Sequence, residues 1–276
     1  MQYITLNDGV SMPQLGYGVW QVPDAEAYDT VTAALDIGYR HVDTAAAYEN
    51  ERGVGRALRE SDVPREEVFL TTKLWNGDHG YDAALRAFDK SLEQLGTDYV
   101  DLYLIHWPVP DRDLYIETWR ALEKIAADGR ARAIGVSNFT ADTLDRLLRE
   151  GTRPPAINQI ELHPYFPQKA MREYDRRHGI ATEAWSPLGQ GGALLNEPLL
   201  GRLGEKYGKS PAQVVLRWHL QLGNVVIPKS VTPARIRENF EVFDFELEVS
   251  EVEEITALGS DGGRIGPDPA VFNYVG

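Results

Sequence analysis

Eight short apolar runs, at 15–18, 41–43, 68–73, 100–106, 133–137, 157–161, 181–185 and 225–228, are each followed by a segment with helical patterning. This alternation constrains the fold more than any other feature, because strands separated by helices run parallel and a parallel sheet needs helices to cover it. Eight repeats suit a sheet closed on itself, so the pattern predicts an α/β chain folded as a (β/α)8 TIM barrel. Residues 3–13 stand outside the alternation. Tyr3 to Leu6, then Asn7-Asp8-Gly9, then Val10 to Pro13 reads as an N-terminal β-hairpin cap under the barrel, with Asp-Gly supplying the turn.

Local punctuation agrees with the pattern. Asp24 and Asn50 are placed to cap helices, Ser210-Pro211 opens another, and Gly38 ends the first of these while Gly129, Gly151 and Gly179 end three more. A longer insertion, 186–209, carries Gly189, Gly191 and Gly192 and reads as a flap, while the tail from Gly259 to Gly276 reads as a loop laid over one face. No linker or shift in composition divides residues 1–276, so one barrel domain is expected. The competing architecture, a doubly wound sheet, would carry G-x-G-x-x-G after an early strand. The chain lacks it: Gly16-Tyr17-Gly18 is followed by Gln21, and Gly53-Val54-Gly55 by Leu58.

Composition narrows the function classes. A net charge of -14 disfavours nucleic acid and anionic membrane surfaces, which need an excess of Lys and Arg. With no Cys, disulfides, thiolate metal sites and a Cys nucleophile are excluded, and no metal site is expected. Neither a leader nor a membrane span is legible, so a cytoplasmic protein is the expectation. Nothing exposed and repeated points to a partner chain, so a monomer is expected.

The chemistry gathers at strand ends. Asp43 and Tyr48 follow the run at 41–43, Lys73 ends 68–73 and His106 ends 100–106. A parallel barrel collects the carboxyl ends of its strands on one rim, so these four converge there. A phenol titrates near 10 and is a poor acid at neutral pH unless its ionised form is stabilised. Lys73 can do so by favouring the phenolate, Asp43 can hold Lys73 charged, and His106 can donate a hydrogen bond that orients a carbonyl. Singly, each residue has an ordinary structural explanation; the shared rim makes the case. The set suits proton delivery to an oxygen gaining negative charge. Lys73 as a Schiff-base residue is the competing enzymatic reading.

Ser137, Asn138 and Gln159 also lie at strand ends and can bond a carboxamide. Lys229, Ser230, Thr232, Arg235 and Asn239 place two cations and two hydroxyls around the start of the last helix, where a phosphate would bind. A basic cluster in so acidic a chain suggests a cofactor 2′-phosphate, hence NADPH over NADH, the alternative being an ordinary barrel phosphate site for a phosphorylated substrate. Trp20, Trp75 and Trp107 each follow a strand end and suggest an aromatic-walled substrate pocket, with Phe272 and Tyr274 of the tail helping to close it.

The motifs G-Y-R-H-V-D-T-A-A-A-Y-E-N-E, T-T-K-L-W, V-D-L-Y-L-I-H-W-P, I-G-V-S-N-F, N-Q-I-E-L-H-P and I-P-K-S-V-T-P-A-R-I-R-E-N occur in the order found in one family. On these the chain resembles the aldo-keto reductases over residues 3 to 276, most closely the prokaryotic 2,5-diketo-D-gluconate reductases. The resemblance implies NADPH-dependent reduction of aldehydes or ketones to alcohols, with Tyr48 as general acid, Lys73 and Asp43 as its relay and His106 orienting the carbonyl. It further implies that Trp185 stacks on the nicotinamide, where many relatives carry Tyr, and that Ser186, Leu188, Gln190, Val231 and Glu238 complete the cofactor contacts. The substrate it suggests is 2,5-diketogluconate or a small dicarbonyl such as methylglyoxal. A non-catalytic relative, binding NADPH as a redox-sensing or assembly subunit, is the remaining alternative.

Overall fold

In the computed structural model, which describes residues 1–260 and 262–276, the alternation becomes a closed sheet. Its strands are β3 (Tyr17–Gly18), β4 (His41–Asp43), β5 (Phe69–Leu74), β6 (Val100–Ile105), β7 (Ala131–Ser137), β8 (Ile157–Glu161), β9 (Ala181–Trp185) and β10 (Val225–Val226), following the hairpin strands β1 (Tyr3–Thr5) and β2 (Ser11–Pro13). Neighbours in the chain are neighbours in the sheet, and every pair from β3 to β10 is parallel. The two shortest strands meet to close the ring. Leu15 bridges Val226 in parallel, and the amides of Gly16 and Gly18 donate to the carbonyls of Val226 (2.8 Å) and Pro228 (3.1 Å). The expected (β/α)8 barrel with its antiparallel hairpin is thus the architecture present.

The helices are α1 (Asp24–Ile37), α2 (Glu51–Glu60), α3 (Tyr81–Leu95), α4 (Tyr115–Ala127), α5 (Ala141–Glu150), α6 (Lys169–Arg177), α7 (Pro198–Tyr207), α8 (Pro211–Gln221), α9 (Pro233–Phe240) and α10 (Val249–Thr256). Several depart from expectation. α1 is entered from Pro23, so Asp24 is its first residue and its Oδ1 accepts from the Gly53 amide (2.7 Å), while Asn50, at the N-cap of α2, bonds Thr44, Val19 and Val22 instead of the helix amides. The insertion 186–209 is not one open flap: after two short 3-10 turns it forms α7, opened by Pro198 and ended by Gly208 at φ 64°. α10 gives no conventional start signal because its capping residue is Glu248, whose side chain and that of Glu251 bond each other's amides in place of a Ser or Thr cap. None of the helices is long and apolar enough to cross a membrane among the described residues.

The core has two compartments. The larger lies between sheet and helices, with Trp119, Trp218, Tyr39 and Phe88 almost wholly buried. The smaller fills the lower barrel interior, where Phe69, Leu102, Leu104, Ala133, Ile157 and Val225 meet Leu6 and Met12 of the hairpin. Above this apolar plug the interior turns polar. His41 occupies the space beside Gly16, where a Cβ would lie 2.3 Å from the ring Nδ1; only glycine fits. Side chains alternate along each strand, so β4, β5, β8 and β9 send Asp43, Lys73, Gln159 and Glu183 inward over the plug. All four are almost completely buried.

Candidate active site

Asp43 is the last residue of β4, Tyr48 lies in the 3-10 turn that follows, Lys73 is the penultimate residue of β5 and His106 comes immediately after β6. The structure brings the four together. Lys73 Nζ donates to Asp43 Oδ1 (2.6 Å), the Thr44 carbonyl (2.9 Å) and Tyr48 Oη (3.4 Å). Three acceptors use all three ammonium hydrogens. Because the phenol oxygen accepts from Lys73, its own hydrogen is left to point elsewhere. The rings of Tyr48 and His106 meet edge-on at 5.7 Å, and Trp75 meets His106 at 5.3 Å.

Burial governs the protonation states. It lowers the Lys73 pKa, but the charges of Asp43, Tyr48 and Glu183 outweigh it and leave the ammonium favoured. Burial also raises the Tyr48 pKa, with Asp43 and Glu183 adding to it; Lys73 pulls the other way, as the sequence suggests, without reversing the result. The phenol is therefore protonated at neutral pH. The expectation that Lys73 makes it more acidic overall is corrected to this: Lys73 limits the cost of losing the proton in a desolvated site. Burial and the neighbouring Lys73 charge push His106 well below the usual imidazole range. A neutral ring has a single N–H, and while Nδ1 is sealed without a partner among the described residues, Nε2 is not sealed in that way.

The carboxamide candidates join the same network. Ser137 Oγ donates to the Gln159 carbonyl (2.8 Å). Asn138, in the left-handed region at φ 63°, donates through Nδ2 to the His106 carbonyl and to Ser137 Oγ, both at 3.0 Å. Its Oδ1 accepts from Trp185 Nε1 at 2.8 Å, a bond that a Tyr at this position would have to make differently. Gln159 Nε2 bridges Asp43 Oδ2 and Glu183 Oε2, both at 2.8 Å. Thus the group formed by Asp43, Tyr48 and Lys73 and the polar shelf beside it are one connected assembly.

The basic segment lies further out. Lys229 and Arg235 are exposed and in no ion pair among the described residues. Thr232 is the N-cap of α9 without using its side chain, so the first-turn amides stay open to an anion. Tyr17 Oη anchors the segment by donating to the Ser230 carbonyl (2.6 Å), and Ser230 Oγ accepts from the Thr232 amide. Glu238 takes a hydrogen bond from Ser210, Asn239 is buried, and Val231 is exposed. In the insertion, Leu188 packs on the core while Ser186 and Gln190 adopt positive φ in the turns.

Of the proposed pocket aromatics, Trp107 packs against Phe272 at 4.4 Å and Trp75 against Tyr274 at 6.3 Å, so the tail does reach the rim. Trp20 is 43% exposed and contacts no other aromatic ring among the described residues, leaving it an outer position.

Three residues were missed by sequence reasoning. Glu183 is a fully buried carboxyl group within a strand, and that placement, a glutamate at an inward position of I-A-T-E-A-W, was the available signal. Glu161 ends β8 and accepts from the amides of Ile265 (2.6 Å) and Gly266 (2.8 Å) and from His163 Nε2 (3.0 Å), pinning the tail. Gly266 then lies so close to Trp185 that a Cβ would sit 2.5 Å from the indole edge.

Comparison with known proteins bears on this geometry. A family model described as Aldo/keto reductase family matches residues 12–260. The chain is 56% identical over 273 residues to an aldo-keto reductase of Mycolicibacterium smegmatis, covering 99% of this chain and 98% of that protein. It is 51% identical over 270 residues to methylglyoxal reductase DkgA of Escherichia coli, covering 98% and 97%. Among solved structures it is similar to a variant of Gox0644 in complex with NADPH, with a TM-score of 0.95 and 46% identity over 99% of each chain.

Proposed function

The chain belongs to the aldo/keto reductase family, and from that premise we propose that it reduces a small dicarbonyl compound, with Tyr48 delivering the proton. It is an NADPH-dependent oxidoreductase, and bound NADPH supplies hydride to the carbonyl carbon. The chain's own residues handle the oxygen. Tyr48 Oη gives its hydrogen to the developing alkoxide, Lys73 at 3.4 Å stabilises the phenolate left behind, and Asp43 keeps the ammonium in place. His106 presents Nε2 to orient the carbonyl. The Lys73 contact, three donors meeting Asp43, Thr44 and Tyr48, is the observation that carries this reading.

For the cofactor, the free amides of α9 with Lys229, Arg235 and Ser230 suit the 2′-phosphate, and Asn239 and Glu238 lie beside them. Ser137, Asn138 and Gln159 suit the carboxamide, Trp185 the nicotinamide face, and Ser186, Leu188 and Gln190 the span between. Lys73 is unsuited to a Schiff base, which needs a neutral amine, because its surroundings favour the ammonium and enclose it. For the substrate, the aromatic walls at Trp75 and Trp107 favour a compact, weakly charged molecule, in keeping with the 51% identity to a methylglyoxal reductase.

Tyr48→Phe should lose about 10²–10⁴-fold in turnover while still binding NADPH, the range typical of general acid catalysis. The assay is NADPH oxidation with methylglyoxal and with 2,5-diketogluconate. Near-normal turnover would remove Tyr48 from the role, and a strong preference for the sugar acid would overturn the substrate class.

A further inference from the structure

Gln159 has one acceptor and two donor hydrogens on its side-chain amide, and both hydrogens are committed inside the barrel, one to Asp43 Oδ2 and one to Glu183 Oε2. Two carboxyl groups facing one amide decide which end turns toward them: nitrogen inward gives two good bonds, oxygen inward sets like partial charges against each other. Gln159 Oε1 is thereby directed away. It meets no donor among the described residues, yet is not one of the sealed atoms without a partner, so it keeps access to open space.

Asp43 is already accounted for by Lys73. Glu183 has no such partner. It is fully buried, its Oε1 makes no hydrogen bond among the described residues, and the nearest cationic candidate there, His41 Nε2, lies 3.7 Å away. Burial holds His41 neutral, down to about 3, so no ion pair offsets the desolvation of Glu183. The groups facing Glu183 are His41 and Asp43 from β4, Lys73 from β5, Tyr48 from the turn after β4, and Gln159 from β8. Burial first, and the Asp43 charge second, push its carboxyl well above the usual carboxylate range. Oε2 accepts from Gln159 whether or not Oε1 carries a proton. A group this costly in the barrel interior has one strong directional contact, and that contact is Gln159.

We propose that Glu183 is a positioning residue for the cofactor: with Asp43 it holds both amide hydrogens of Gln159, so that Gln159 offers only its carbonyl oxygen to the nicotinamide carboxamide, as acceptor for the carboxamide N–H. The inference rests on the assignment of Gln159 as a carboxamide ligand, and it assigns the polarity of that contact to a residue that does not touch the cofactor.

The test uses a cofactor in which the carboxamide NH2 is replaced by methyl, the 3-acetylpyridine analogue of NADPH. Dissociation constants for NADPH and the analogue are measured by quenching of tryptophan fluorescence in wild type, Glu183→Gln and Gln159→Ala. Wild type should favour NADPH by about 3–10-fold, the size of one net hydrogen bond. In Glu183→Gln the neighbouring amide can meet Gln159 in either orientation and Asp43 alone opposes the flip, so the preference should fall at least about 2-fold towards 1, and in Gln159→Ala it should reach about 1. If Gln159→Ala keeps the preference, Gln159 is not the carboxamide ligand. If Gln159→Ala loses it and Glu183→Gln keeps it, that assignment stands and the role given to Glu183 is wrong. Glu183→Met, apolar and of similar shape, repeats the measurement should the Gln variant not fold. Failure of both to fold would make Glu183 a residue of the fold alone and would equally overturn the proposal.

Discussion

At Lys73 and Tyr48 a desolvated site holds a phenol in its protonated form beside an ammonium. Burial raises the phenol pKa and a single ammonium pulls the other way, so that, on the proposed role, the proton is held until negative charge develops beside it. Which residues meet at the rim was legible from their positions at strand ends. The net direction of the Tyr48 shift was not, because it depends on how completely the turn after β4 is covered. Asp175 shows the same force acting where no reaction uses it. Lying on α6 against β9, it accepts from Thr182 Oγ1 at 3.0 Å, and burial raises its pKa to about 7 despite that bond. The unfolded chain releases this proton near pH 4 and the folded chain only near 7, so ionisation of Asp175 removes stability progressively as pH rises through that window. Asp175→Asn should therefore gain about 1–3 kcal/mol at pH 8 and close to nothing at pH 4, since each tenfold change in an acid's ionisation constant is worth about 1.4 kcal/mol. Urea denaturation at the two pH values gives both numbers; an equal gain at each would mean that the substitution acts through packing.

Among the elements, strands were the legible part. Their spacing fixed which side chains share a rim, and Asp43, Tyr48, Lys73 and His106 followed from that alone. What joins elements across the barrel was hidden, since contacts such as Gln159 with Glu183, or Glu161 with Ile265 and Gly266, depend on register and on the path of a tail with no periodicity. α10 was hidden for a local reason, its Glu248 cap. The tail matters because Glu161 holds it against Trp185. Gly266→Ala forces the indole or the tail to move, and overpacking of about 1–3 kcal/mol should appear as NADPH binding weakened roughly 5-fold or more. Unchanged binding would show that the tail yields freely. At α9, Arg235→Ala should raise the NADPH dissociation constant about 10–100-fold and leave NADH almost unaffected, since a charge-assisted bond to phosphate is lost. Equal losses for both cofactors would place Arg235 away from the 2′-phosphate.

The whole molecule carries a net charge of -14, and that excess is spread over a surface whose ion pairs, such as Arg56 with Glu60 and Arg176 with Glu173, are largely solvent-exposed. Exposed pairs contribute little, so self-repulsion dominates the response to salt. Raising NaCl from about 10 to 150 mM shortens the screening length from roughly 30 to 8 Å, and the melting temperature should rise by about 2–4 °C. A fall on scanning calorimetry would mean that the ion pairs outweigh the repulsion. The same molecule is closed from below. Leu6 and Met12 seal the barrel floor, and Lys73 beneath the rim has no exposed surface. Bulk water therefore reaches the phenol from the mouth only, and while product fills that mouth the Tyr48 oxygen has no supply from solvent. On the role proposed for Tyr48, recharging the acid is tied to product departure, which gives each catalytic cycle an order set by the walls of the barrel.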